Sequence, residues 1–262
     1  MATFEELVAQ AQAAPVSGWD FSWLTARSST AGALPWDYRA EVARHAAGAG
    51  SLLDMGTGGG EWLASLTPRP ARTVATEAWP PNVPVAARRL RRAGIPVVRD
   101  EGAADNTAGD LGRGRLPFRG GAFALVINKH EAFLAPEVSR VLTPGGTFVT
   151  QQVDTRTYDD LYHALGLAVP EQPASWLPLA QRQLRRAGLT IRRAEAGEEL
   201  QRFADVAAVV YYLRLVSWAV PEFTVERFAG RLRELHDTPA AWPVTVRQRR
   251  FLIVAGKRAA AK

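Results

Sequence analysis

Gly56, Gly58, Gly59 and Gly60 crowd one short stretch, and Asp54 precedes them directly after two leucines. An apolar run that ends in glycines lets a backbone turn tightly and approach a ligand where a side chain would clash. A helix opening behind the turn presents unsatisfied N–H groups to that ligand. This is the chemistry of holding a nucleotide-type molecule. The spacing narrows it: a dinucleotide fingerprint needs glycine at its first, third and sixth positions, and counted from Gly56 the sixth is Glu61. Asp-x-Gly-x-Gly-x-Gly is met in full by Asp54, Gly56, Gly58 and Gly60, with Thr57 between the first two glycines.

A second acid stands where such a ligand needs one. VATEAWPPN ends an expected strand at Glu77, followed by Ala78 and Trp79. In open α/β sheets ligands lie outside the carboxyl ends of strands, where a carboxylate can accept both hydroxyls of a ribose. The plainer role for Glu77 is a helix cap or surface acid. Trp79 can cover an adenine ring or simply close the loop. IPVVRD ends at Asp100 and Glu101, with Asp105 nearby. INKH brings Asn128, Lys129 and His130 to a further strand end, and VTQQVD adds Gln151, Gln152 and Asp154. An imidazole titrates near working pH, so His130 can act as a general base, or it can cap a helix. His45, His163 and His236 sit in helical contexts without metal-ligand spacing, and no metal is expected.

The elements that must position these residues alternate. Short apolar strands are expected at 51–55, 72–76, 95–99, 123–128, 146–153, 189–195 and 251–256. Helices are expected at about 60–66, 82–93, 132–142, 178–187, 203–218 and 224–236. LTPGG at 142–146 marks a helix stop and turn. Ala103–Arg115 is rich in glycine and charge, with no periodicity, as in a surface insertion. Before residue 51 only helices are expected, near 3–13 and 37–47. Residues 1–50 form a helical lid or cap carrying Trp19, Trp23 and Trp36, and 51–262 form an α/β domain with a helical insertion at about 200–240. Tyr211, Tyr212 and Trp218 in that insertion can line a pocket or pack as core. No second independent core is expected.

Bulk composition sets bounds. The 262 residues carry 47% hydrophobic and 22% charged residues, as in an ordinary globular protein. No apolar run approaches the ~20 residues that span a bilayer, and the N-terminus has acids in place of a basic leader. No membrane association and a cytoplasmic location are the expectations. Zero cysteines exclude disulfides and thiolate chemistry. The +6 charge and pI near 10.1 admit a nucleic-acid partner. Yet Lys129, Lys257 and Lys262 are the only lysines. The pairs Arg88/Arg89, Arg91/Arg92, Arg185/Arg186 and Arg192/Arg193 mostly fall on or beside expected surface helices, where a solvated face explains them.

The glycine pattern resembles the first motif of class I S-adenosylmethionine (SAM) methyltransferases. LPFRGGAFALVINKHEAF is similar to that family's fourth motif, with Ala124 where an aspartate is usual, and VSRVLTPGGTFVTQQVD to its post-catalytic helix, turn and strand. The likeness runs in order from about Ser51 to Asp154. WDFSWL, ATEAWPPN and FADVAAVVYYLRLVSWAVPEF extend it, over nearly the whole chain, to a mostly uncharacterised bacterial methyltransferase-like group.

The resemblance implies an α/β fold: a Rossmann-like, seven-stranded, mostly parallel sheet with helices on both faces, an antiparallel edge strand and an N-terminal helical cap. It implies SAM as cofactor and S-adenosylhomocysteine as product. Cofactor contacts fall to Asp54, Gly56, Thr57, Gly58, Gly60, Glu77, Ala78, Trp79, Asp100, Glu101 and Asn128. Acceptor contacts fall to Trp23, Trp36, His130, Gln152 and Tyr211, with His130 the candidate catalytic base. The expected activity is methyl transfer to an oxygen, nitrogen or carbon nucleophile of a small molecule. The alternatives are an rRNA or tRNA methyltransferase and a SAM-binding protein that transfers nothing. The oligomeric state stays open.

Overall fold

Every residue of Leu52–Met55 is buried, so this strand (β2) needs a neighbour on each side and a layer on each face. A computed structural model of the chain describes residues 2–16, 19–103 and 114–259. In it β2 pairs in parallel with Thr73–Glu77 (β3) on one side and Phe123–Lys129 (β5) on the other. Val97–Arg99 (β4) continues the parallel run beyond β3. Leu142–Val153 (β6) lies parallel to β5, and Val244–Lys257 (β8) lies antiparallel to β6. The remaining strands are Ser28–Ala31 (β1) and Leu189–Phe203 (β7), paired antiparallel.

Among the described residues the sheet has eight strands in the order β1-β7-β8-β6-β5-β2-β3-β4, one more than the sequence predicts. The extra strand, β1, lies in the stretch expected to hold only helices. Its sequence SSTA offers no large apolar residue, and its two central residues are exposed, so there is no alternation to reveal it. β1 also displaces β7 from the edge. Three strands are longer than expected: β6 begins at Leu142, β7 runs on to Phe203, and β8 begins at Val244. The 142–146 segment is therefore the irregular start of β6 and not a separate turn, with a register shift opposite Phe123 and Leu125.

The α-helices are Phe4–Ala13 (α1), Tyr38–Ala46 (α2), Glu61–Ala64 (α3), Asn82–Arg91 (α4), Ala135–Val141 (α5), Asp159–Ala164 (α6), Leu177–Arg186 (α7), Val206–Leu215 (α8) and Val225–His236 (α9). The helix expected over 60–66 is thus a single turn, so the glycine loop offers its own amides and no extended helix behind them. Arg192 and Arg193 stand on β7, a strand, and not on a helix.

The chain divides into two compact units. One comprises 1–34, 155–175 and 198–249; the other comprises 35–154, 176–197 and 250–262. Each has its own apolar cluster, against the expectation of a single core. In the first, α8 buries every residue except Arg214, and Phe4, Leu7, Val8 and Ala11 of α1 join the same cluster. A helix apolar on all sides has to be enclosed. Asp205 caps it by accepting the Ala208 N–H at 2.8 Å, and the same carboxylate meets Arg27 at 2.6 Å. In the second, Leu53, Val126 and Phe148 of the central strands join Val138 and Leu184 of the flanking helices. The first core escapes a linear reading because three distant segments supply it.

Candidate active site

The strand order reverses between β2 and β5. The chain runs outward through β3 and β4, then returns to the other side of β2, and the carboxyl ends of such a pair flank the crevice where open α/β sheets take ligands. Met55 and Asn128 face each other across that break.

The glycine loop leaves β2 with Gly56 at φ 68° and Gly58 at φ 63°, left-handed values that side chains resist. Its amides fasten it to β3. Thr57 N–H donates to the Thr76 carbonyl at 2.9 Å, and Gly58 N–H donates to Glu77 Oε2 at 2.6 Å. The other Glu77 oxygen accepts the Trp79 N–H at 2.8 Å. Glu77 is 3% exposed, and backbone donors on two loops fix its carboxylate. Burial, and after it the repulsion of Asp100, raise its pKa, against the pull of those amides. Trp79 itself is exposed, and it is its backbone that closes on Glu77. A Cβ added at Gly60 would stand 2.9 Å from Leu90 of α4, so glycine there permits close packing of loop and helix.

Asp54 is buried on β2, and burial followed by the charge of Glu77 pushes its carboxyl up to about 7. Tyr38, buried beside it, donates its hydroxyl to the Asn128 carbonyl at 3.0 Å. The Asn128 side chain is fully buried. Its Oδ1 accepts the Thr150 hydroxyl at 2.8 Å and the Gln152 amide, while its Nδ2 has no partner. Gln152 also donates to the Glu131 carbonyl at 3.0 Å. It is therefore a buried brace of the β5 end.

Ser51 braces the start of β5 through two backbone groups. Its Oγ accepts the Ala124 N–H at 2.9 Å and donates to the Ala122 carbonyl at 3.3 Å.

A small, partly open cavity lies beside the loop, lined by Met55, Gly56, Thr76, Asp100, Gly102 and Glu131 among others. Asp100 belongs to it, and burial raises its pKa. Glu101 is exposed and is not part of the lining. Asp105 lies outside the described residues. Ala78 borders the same space, since a Cβ on Gly102 would sit 3.0 Å from the Ala78 methyl.

Glu131 received no role from sequence. Its side chain crosses the glycine loop: a Cβ on Gly56 would fall 2.5 Å from Glu131 Cγ, and one on Gly102 3.2 Å from its Oε1. Burial, then Glu77, then Asp100 push its carboxyl up to about 7. Its position one residue past His130, at the end of a buried strand, is the signal that could have marked it.

The acceptor candidates fall in both units. Trp36 and His130 belong to the unit that holds the glycine loop, and both meet Gln151: Trp36 Nε1 donates to Gln151 Oε1 at 2.8 Å, and Gln151 Nε2 lies 3.1 Å from His130 Nε2. Trp23 and Tyr211 belong to the other unit. They stack at 4.6 Å between ring centroids, and the Tyr211 hydroxyl donates to the Pro15 and Asp20 carbonyls at 3.1 and 3.2 Å. Tyr211, 1% exposed, is core. Trp218 is exposed, edge-on to Trp19.

Residues 53–150 match the family described as a methyltransferase domain. No curated protein matches the chain. Among solved structures, YcgJ of Bacillus subtilis is similar at TM-score 0.55 and 15% identity, covering 85% of this chain and 99% of its own. A candidate methyltransferase from Bacillus halodurans is similar at TM-score 0.55 and 18% identity, covering 84% and 99%. A functionally unknown protein from Deinococcus radiodurans has TM-score 0.52 and 16% identity, covering 87% and 90%. At these identities the likenesses speak to fold. The family match covers the stretch that carries the glycine loop, Glu77 and the β5 end.

Proposed function

We propose that this protein transfers a methyl group from SAM to an oxygen, nitrogen or carbon nucleophile of a small molecule. One observation carries the cofactor half: at the strand-order reversal, a buried carboxylate is held by backbone N–H groups of the glycine loop and of the loop after β3. Each Glu77 oxygen keeps a lone pair for a ribose hydroxyl. The residues fit the cofactor. Glycines at 56 and 102 bring the loop backbone close to the Glu131 side chain at the cavity wall, and Asp100 stands farther along the same wall.

Bound SAM supplies a methyl on a sulfonium, which a nucleophile displaces in line, the sulfur keeping the electron pair. The protein's part is orientation, which recovers much of the barrier as entropy lost in advance. The Tyr38, Thr150 and Gln152 bonds hold Asn128 and the β5 end in one place. Gly58 and Trp79 do the same for Glu77.

A small-molecule acceptor is favoured over RNA by the charge of the site. Glu77, Asp100 and Glu131 gather there, and a phosphate backbone is repelled by carboxylates. Calorimetry with SAM tests the cofactor half: the wild type binds, and Glu77→Ala loses at least tenfold in affinity with its circular dichroism unchanged. Equal affinity in the variant would overturn the assignment. Radiolabelled methyl transfer then separates a low-mass metabolite fraction from RNA. Label in RNA would install the rRNA or tRNA alternative, and binding without transfer to either would leave a SAM-binding protein.

A further inference from the structure

Gln151 holds His130 twice. Its carbonyl accepts the His130 backbone N–H at 2.8 Å, and its side-chain amide nitrogen lies 3.1 Å from His130 Nε2. His130 needs such holding, because its φ of 62° is left-handed. A non-glycine residue there is strained and persists only where its surroundings over-determine it.

The donors and acceptors in this chain of groups leave one solution. Trp36 Nε1 lies 2.8 Å from the Gln151 side chain, and an indole N–H only donates. The atom facing it is therefore the amide oxygen. The amide NH₂ then faces His130, and it too only donates. So the His130 nitrogen 3.1 Å away is the acceptor and carries no proton. In a neutral ring the proton is then on Nδ1. An imidazolium would point N–H at NH₂, which the arrangement opposes. Trp36 and Gln151 are 8% and 5% exposed, so water does not readily replace either partner.

The charges agree with the geometry. Removal of the ring from water, then Arg250 on β8, then Lys129 on β5 hold it well below its usual pKa, although the residue as a whole is exposed. Trp36, ahead of α2, and Gln151, on β6, do not titrate.

We infer that Trp36 is a positioning residue which, through Gln151, sets His130 as the neutral Nδ1–H tautomer, so that this histidine offers the methyl acceptor a hydrogen-bond donor and takes no proton from it. The inference rests on the reading of the β5 end as the acceptor side of a methyltransferase. It removes His130 as the base, since its one lone pair is already engaged. Acceptors that are neutral nucleophiles, or that arrive deprotonated, suit such a site.

The test is two-bond ¹H–¹⁵N correlation spectroscopy on the full chain labelled at histidine, with His130 assigned from His130→Gln. Wild type should show a neutral ring protonated at Nδ1 from pH 6 to 8. In Trp36→Phe the Gln151 amide is released to turn its oxygen to the ring, and the Nε2–H tautomer should become the major form. Gln151→Leu should do the same by another route, which keeps the test decisive if Trp36→Phe fails to fold. Nε2–H in the wild type, or unchanged spectra in both variants, would overturn the inference. Calorimetry with SAM on the same wild-type sample tells the two failures apart. Absent binding with the Nδ1–H tautomer intact sinks the enzyme reading alone.

Discussion

Glu131 is a carboxylate crowded by other acids. The charged neighbours that bear on it, Glu77 and Asp100, are both acids. This has a stability consequence with a definite sign. Its carboxyl moves from an ordinary 4.5 to about 7 on folding. Between those values the folded chain binds more protons than the unfolded one, so this group lowers stability as pH rises from about 4.5 to about 7 and leaves the loss complete above that. Glu131→Gln removes the effect. Its stability relative to wild type should climb over the same window, to on the order of 2 kcal/mol at pH 8. Urea titrations at pH 5 and pH 8 measure it, and an equal difference at both would refute the account. Glu77 differs in kind, because amides oppose its burial, and there the predicted loss is of cofactor affinity. Glu77 was readable from sequence because its distance from the glycine loop is fixed by one strand crossover. Glu131 was not, because its approach to Gly56 depends on the left-handed turn at His130, a histidine that nothing in the chain marks for that conformation.

At the scale of elements, burial on both faces made β2 and β5 readable, since LLDM and FALVIN are apolar runs with no polar face to place. β1 and the second half of β7 pair through SSTA and LQRF, stretches with exposed or half-exposed residues in mid-strand. There the pairing is set by position in the sheet and not by pattern. The β2–β5 junction is held by more than apolar burial. Ser51 Oγ both accepts the Ala124 N–H and donates to the Ala122 carbonyl, two hydrogen bonds to the backbone that a methyl cannot make. Ser51→Ala leaves that buried donor and acceptor unpaired and should cost about 1–3 kcal/mol, read from denaturant midpoints. It should leave the far-UV spectrum unchanged, because the ladder from Leu52 to Met55 is untouched. A midpoint equal to wild type would show that Ala124 finds another acceptor.

Over the whole molecule, a net charge of +6 invites a nucleic-acid partner, and the proposed small-molecule reading predicts only weak binding to one. A phosphate-binding face needs cations free to displace counterions. Here Arg27 is tied to Asp205, Arg140 to Glu137, Arg156 to Asp159, Arg193 to Glu41 and Glu195, and Arg247 to Asp160, all within 3.0 Å. These pairs join elements far apart in sequence as often as neighbours. Their work is internal to the protein, and to bind phosphate each would first have to give up a carboxylate. The expected outcome is weak, non-specific RNA binding. By fluorescence polarisation at near-physiological salt, a structured RNA should bind no more tightly than about 10⁻⁶ M, within the non-specific range, and sequence changes in the RNA should leave that value unchanged. Arg247→Ala separates the two possibilities further. A paired arginine contributes to Asp160 and not to phosphate, so its loss should lower thermal stability while the salt dependence of RNA binding keeps its slope. A slope reduced by about one unit, the signature of one lost phosphate contact, would move the acceptor from a metabolite to RNA.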